Sequence, residues 1–304
     1  MNRNVNKLKI STERVGEIIL FFEMLTWGIA AILIRSSNGV LPPIFFAGAT
    51  MFCAGILFLP ILFFFKLHHD FQKKEYFFPA LKSIFFIMSG FLLFFIAGQK
   101  IPASDLAILG QSEVLFTFAF FGFLGLEKIS RQRILGAGLV LLGAILVLVK
   151  NFSGNFSLFF LLILLANAIF PIGNFWQKKV LKIVRPKTHL IFRSFVGGSF
   201  LLLISIFFEK IDWEIISSPQ SLFLIFMSAL LPFGISKILF LEALKRLDVS
   251  KVFAIGSAQP IFTIFFAVIF LDEKIDFWQI FGIIFAAAGI VILTKKEQER
   301  LSAI

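Results

Sequence analysis

The chain of 304 residues has one cysteine, one tyrosine, three histidines and few charges. Each shortage excludes something. A lone Cys53 supports neither a disulfide framework nor a thiol metal site. His68-His69-Asp70 and His189 have no further His, Cys or acid nearby in sequence, so they are poor metal ligands. No phosphate-cradling glycine loop, nucleophile elbow or zinc-binding helix motif occurs, so no cofactor, metal or catalytic constellation is expected. Charged residues make up 15% of the chain, where soluble globular domains have about a quarter. What is abundant is apolar: 59% hydrophobic side chains, 45 of them phenylalanine, and a mean hydropathy of +0.95. The many Phe, Ile and Lys residues read as a composition bias, with most rings facing lipid or neighbouring helices.

Apolar stretches of about 20 residues match the length a helix needs to cross a hydrocarbon core of roughly 30 Å. Ten are expected: 16 to 35, 42 to 65, 81 to 99, 102 to 124, 133 to 149, 156 to 177, 188 to 208, 221 to 244, 250 to 271 and 277 to 294. The first follows a polar, basic stretch without a small-residue cleavage site, which reads as a retained helix. Runs such as Phe91 to Gly98 do not alternate, which argues against an outer-membrane barrel.

Basic residues then give an orientation. With the N-terminus inside, 22 of the 29 Lys and Arg fall in inside segments and 5 (Arg35, Lys100, Lys150, Lys210, Lys274) outside; Arg193 and Lys237 lie within spans. The expectation is an all-α integral membrane protein with both termini cytoplasmic in a bacterial-type inner membrane. The net charge of +11 is accounted for by this asymmetry, which leaves little basic surface for nucleic acid.

Residues 101–150 align without gaps to 247–296, with twelve identities that include Gly110/Gly256, Thr117/Thr263, Glu127-Lys128/Glu273-Lys274, Gly136/Gly282 and Gly143/Gly289. The chain therefore divides into residues 1–150 and 151–304, each a repeat of five helices. Five is odd, so the copies cross the bilayer in opposite senses. The loop after Glu127-Lys128 is basic while Asp272-Glu273-Lys274 with Asp276 is acidic, as opposite sides require. Such inverted repeats are a hallmark of transporters.

These residues resemble the EamA branch of the drug/metabolite transporter superfamily. The likeness runs along nearly the whole chain: Trp27-Gly28; Gln259-Pro260-Ile261-Phe262; Leu271-Asp272-Glu273-Lys274 followed by Gly282 and Gly289; and Gly125-Leu126-Glu127-Lys128 followed by Gly136 and Gly143. The resemblance implies ten helices in two inverted five-helix repeats, a central cavity formed by spans one to four and six to nine, and peripheral spans five and ten. Two positions depart from the family's habits. Phe46-Ala47-Gly48 stands where an Arg is frequent, and Val114 where a Pro is frequent. Glu113 aligns with Gln259.

On a helix, Gly110, Glu113 and Thr117 form one stripe, and Gly256, Gln259 and Thr263 its repeat partner. An ionisable group at mid-membrane turns toward protein or a water-filled cavity, which aims Glu113 at a transport cavity. Two other readings stay open for it: a structural hydrogen bond or ion pair between helices, and a protonated carboxyl serving proton coupling. Glu23, with Trp27 on the same face, would pair with Lys237 or Arg193 as a cytoplasmic gate. The bland alternative for Arg193 and Lys237 is snorkelling to the headgroups. Pro171-Ile172-Gly173 and Pro232-Phe233-Gly234 are expected helix breaks. Asn167, Asn174 and Trp176 are further binding candidates, the asparagines set against the commoner role of interhelical hydrogen bonding. Gln99, Gln111 and Ser112 are weaker ones.

The sequence thus points to a secondary transporter that carries a small polar or zwitterionic metabolite by alternating access. An amino acid or related compound fits, as does an S-adenosylmethionine-like solute. The absence of a nucleotide-binding motif assigns the energy to a gradient or to the solute. Efflux of cationic or amphipathic compounds is the rival within transport. An intramembrane enzyme or sensor is the rival from another class, lacking both a reactive constellation and a soluble domain. Expected partners are the solute and membrane lipid, with the chain a monomer or homodimer.

Overall fold

The computed structural model describes residues 12–125, 131–152, 158–256 and 259–301. Among them no strand occurs. The helices are α1 Thr12–Trp27, α2 Ala30–Ser36, α3 Pro43–Phe64, α4 Phe77–Gly98, α5 Ala103–Gly110, α6 Ser112–Phe123, α7 Arg131–Phe152, α8 Leu158–Val180, α9 Pro186–Phe208, α10 Trp213–Ile216, α11 Pro219–Leu230, α12 Ser236–Arg246, α13 Val249–Gly256, α14 Gln259–Leu271 and α15 Phe277–Leu301. Seven helical stretches are long and apolar enough to cross a membrane: Thr12–Ser36, Pro43–Phe64, Lys74–Gly98, Ala103–Phe123, Leu158–Val180, Pro186–Phe208 and Pro219–Arg246. The regions of the other three expected spans hold shorter apolar helices, Ile134–Gly143, Gln259–Leu271 and Phe277–Gly289. Helix suits these segments because lipid offers no partner for a free N–H or C=O. Large exposed rings such as Phe64, Phe123 and Phe207 supply the apolar exterior.

Helix pairing has the symmetry of two exchanged halves. α3 packs along α9 and α7 along α15, which pairs the expected second span with the seventh and the fifth with the tenth. α4 packs along α8, and α1 along α12, which is the same pairing with the repeats swapped. Glycine permits the closest approaches. A Cβ on Gly48 of α3 would lie 2.8 Å from the Leu202 nitrogen and 3.1 Å from the Gly198 oxygen of α9. On the other pair, a Cβ on Gly289 would meet the Gly136 oxygen at 2.6 Å, and one on Gly282 the Gly143 oxygen at 3.1 Å. The glycines matched between the repeats therefore meet each other.

Carboxylates just after one helix seat the start of another. Glu209, following α9, accepts the N–H groups of Ile44 and Phe45 at 2.7 Å each, at the start of α3. Asp70, following α3, accepts the Arg185 N–H at 3.2 Å and the Thr188 hydroxyl at 2.7 Å, at the start of α9. Glu273 accepts the N–H of Ala103 and of Ser104, at 2.8 and 3.1 Å, at the start of α5. Free N–H groups and the positive pole of the dipole make each start a good carboxylate site. The Glu127-Lys128 counterpart lies outside the described residues.

The expected breaks need correction. Pro232-Phe233-Gly234 does interrupt its span, as a π turn over Leu231–Ile235. Pro171 instead lies inside an unbroken α8. Gly173 answers there to packing, since a Cβ on it would lie 2.6 Å from the Ile87 side chain of α4. The fourth span breaks at Gln111, between α5 and α6, and the first at Gly28-Ile29.

Candidate functional site

A central cavity lies among these broken helices. It encloses about 1010 Å³ of empty space, counting the part open to solvent. Glu23, Trp27, Glu113, Asn167, Asn174, Arg193, Lys237 and Gln259 all line it. Phe91, Phe94, Phe170 and Phe240 supply apolar walls, and Gln111 and Gln177 further polar ones. Both repeats contribute.

Glu113 owes its position to the break. It sits in the first turn of α6, where unpaired N–H groups favour negative charge. The turn is held from α8, whose Asn167 amide donates to the Leu109 carbonyl at 3.0 Å and to the Ser112 hydroxyl at 2.8 Å. From Glu113 a line of hydrogen bonds runs along α8 to α9. Asn174 Nδ2 donates to Glu113 Oε1 at 3.2 Å, Gln177 Nε2 to Asn174 Oδ1 at 2.6 Å, and Arg193 Nη1 to Gln177 Oε1 at 2.8 Å. The acid and the guanidinium are thereby joined through two amides without touching.

A second group faces this line. Lys237 Nζ stands 3.3 Å from the centre of the Trp27 ring and 5.3 Å from that of Phe240. Trp27 is braced edge-on by Phe233 of the π turn, at 5.3 Å between centroids. Glu23 is buried and accepts the Ser236 hydroxyl at 2.9 Å. Among the described residues Glu23 makes no contact at ion-pair distance with Lys237 or Arg193, although Glu23 and Lys237 lie near enough to interact electrostatically. Ser236, the Trp27 ring and Gln177 hold these three groups instead.

Gln259 lines the cavity and donates to Thr263 Oγ1 at 2.8 Å. Thr263 and Thr117 are fully buried behind the wall, and the Thr117 hydroxyl has no partner among the described residues. Trp176 faces away from the cavity, beside Lys82 and Lys179. Gln99 bonds Ser37 and the Leu41 carbonyl, both at 2.8 Å, outside the cavity. Sequence reasoning missed Gln177, whose signal was its spacing of three from Asn174, and the four phenylalanines, which the composition hid.

Buried charges around a cavity between pseudo-symmetric helix bundles define the class of membrane proteins that pass solutes. The EamA-like transporter family matches the chain twice, over residues 14–149 and 157–295. The chain belongs to that family, and it is a transporter rather than an enzyme. It is 22% identical over 284 residues to a protein of Salmonella typhimurium (strain LT2) described as a probable amino-acid metabolite efflux pump, covering 88% of this chain and 91% of that one. A solved structure titled only as the crystal structure of a protein superimposes with a TM-score of 0.73 at 17% identity. The match covers 94% of this chain and 98% of the other, a likeness of fold alone.

Proposed function

We propose that the protein moves a small zwitterionic metabolite, of amino-acid type, across a bacterial inner membrane through the central cavity. The observation that carries this reading is the facing of opposite charges across one space. Glu113 offers a carboxyl held by Asn174, and Lys237 an amine set over aromatic faces within electrostatic reach of both Glu113 and Glu23. A solute with an ammonium and a carboxylate complements both, and the phenylalanine walls accommodate an apolar body. The relative's description as an amino-acid metabolite efflux pump supports the same cargo and an outward direction.

Transport would proceed by alternating access, the two repeats rocking about the site. Residues 1–150 and 151–304 would be the moving halves, with both termini cytoplasmic. In this scheme Glu113, Gln259, Trp27, Asn174 and Lys237 contact the solute and Asn167 holds the helix break. Glu23, Arg193 and Lys237 would exchange partners as the cytoplasmic side closes. Efflux of a cationic amphipath is the second reading, favoured by Glu23, Glu113 and the aromatic wall and opposed by Lys237 and Arg193.

Counterflow in proteoliposomes tests the proposal. Liposomes loaded with unlabelled amino acids should accumulate the labelled solute, while decarboxylated analogues should fail. Exchange of the amines but not of the parent amino acids would establish the second reading. No exchange across a broad metabolite panel by intact protein would overturn both.

A further inference from the structure

The cytoplasmic ends of α4 and α8 carry a feature that transport does not use. Lys82 Nζ lies 4.3 Å from the centre of the Trp176 ring, and Lys179 Nζ lies 4.5 Å from the same centre. The two nitrogens, one from each helix, are therefore under about 9 Å apart. Each has a second ring at 4.3 Å, Phe78 for Lys82 and Phe175 for Lys179. Among the described residues neither ammonium has a carboxylate or hydrogen-bond acceptor. Two like charges drawn to one indole, with no anion between them, form an incomplete arrangement.

Its surroundings say what completes it. Lys82 stands in the second turn of α4, and Lys179 in the last turn of α8. Both helices belong to stretches long and apolar enough to cross a membrane, and the excess of Lys and Arg on this side is what the cytoplasmic side would carry. Phe78, Leu81 and Phe85 on α4 are exposed by 66%, 50% and 58%. Spaced by three, four and seven residues, they and Lys82 share one face. With these helix ends at the membrane surface, the basic pair would stand at headgroup depth above an apolar strip, with Trp176 where indoles collect. Basic pockets between helices on this side suit anionic lipid headgroups.

We propose that this face, where α4 and α8 present Lys82, Trp176 and Lys179, binds an anionic phospholipid. The phosphate would bridge Lys82 and Lys179 over the edge of Trp176, and an acyl chain would lie along Leu81 and Phe85. A zwitterionic headgroup would bring its own cation to a place where two already stand, so net negative charge is what the lysine pair selects. The other faces of the same helices line the cavity through Phe91 and Asn174. A bound lipid would thus clamp one cavity helix from each half.

Native mass spectrometry from mixed phosphatidylglycerol and phosphatidylcholine micelles tests the site. The wild-type protein should retain phosphatidylglycerol at least threefold over phosphatidylcholine. Lys82→Gln with Lys179→Gln should bring the ratio near one, while the equally discharged control Lys66→Gln with Lys74→Gln keeps it. An unchanged ratio in the first double variant, or no preference in the wild type, would overturn the proposal. A measurement independent of how the lysine variants fold uses brominated lipids. The fluorescence lost on Trp176→Phe should be quenched more by brominated phosphatidylglycerol than by brominated phosphatidylcholine. Equal quenching would also overturn it.

Discussion

Glu113 takes its character from residues more than 50 positions away. Asn174 holds its carboxylate and Asn167 holds the turn it stands on. A hydrogen bond to a charged group contributes about 1.5–3 kcal/mol, and about 1.4 kcal/mol is a tenfold change in affinity. Replacement of Glu113 by Gln should therefore raise the apparent Kd for the solute roughly 10- to 100-fold, read by scintillation proximity binding, with the protein still monodisperse. Thr117 gives the opposite expectation. Its hydroxyl is buried and has no partner among the described residues, and an unmet buried polar group costs about 1–3 kcal/mol. Thr117→Val should leave exchange within about twofold and raise the thermal unfolding temperature in detergent; a large loss of exchange would place Thr117 in the solute's path. Sequence singled out Glu113 because an acid inside an apolar run is costly. It chose Thr117 on periodicity alone, and Thr117 is fully buried without lining the cavity. Gln177 escaped notice because it sits at the edge of its span, where a polar residue is ordinary.

At the scale of elements, helix starts seated by distant carboxylates decide how the halves lock together. Asp70 shows the electrostatics. Burial alone would push its carboxyl up, but hydrogen bonds from Thr188 and Arg185 and the Arg185 charge outweigh that and hold it below the ordinary carboxylate range. A depressed native pKa contributes stability that is complete above the unfolded value, about 3.9, and is lost as pH falls through the lower native one. Asp70→Asn should thus destabilise the protein at pH 7 by about 0.5–2 kcal/mol, the usual magnitude of a lost cap. The gap from wild type should narrow as pH drops below about 4. A gap that stays constant with pH would show that the charge contributes nothing. None of these caps was legible in the sequence, because each partner is more than 100 residues away and an acidic loop residue is unremarked in a chain read by hydropathy. The π turn at Pro232-Phe233-Gly234 was legible from composition. The breaks at Gly28 and Gln111 were not, since no proline marks them.

For the molecule as a whole, repetition carried the most information. Gly136 meets Gly289 and Gly143 meets Gly282 across α7 and α15, so identities noticed at a fixed offset in the chain became contacts in space. Fold class was readable for that reason, together with the lengths of the apolar runs. The cavity's chemistry was readable only in part, because hydropathy finds a charge inside a span but not the side chain that holds it. Direct pairing of Glu23 with Lys237 was the natural expectation from two opposite charges at similar depth. Ser236 and the Trp27 ring make the close contacts, and Glu23 and Lys237 interact across a longer distance.

The most direct test of that central arrangement uses Gly110, which lines the cavity and has nothing within 4 Å of where a Cβ would sit. In a Cys53→Ser background, Gly110→Cys should react with a small water-soluble thiol reagent in proteoliposomes, and the transported solute should slow that reaction at least fivefold. A cysteine at the exposed Phe123, outside the cavity lining, should be indifferent to the solute. Modification at position 110 that proceeds at the same rate with saturating solute as without it would contradict a cavity that binds cargo.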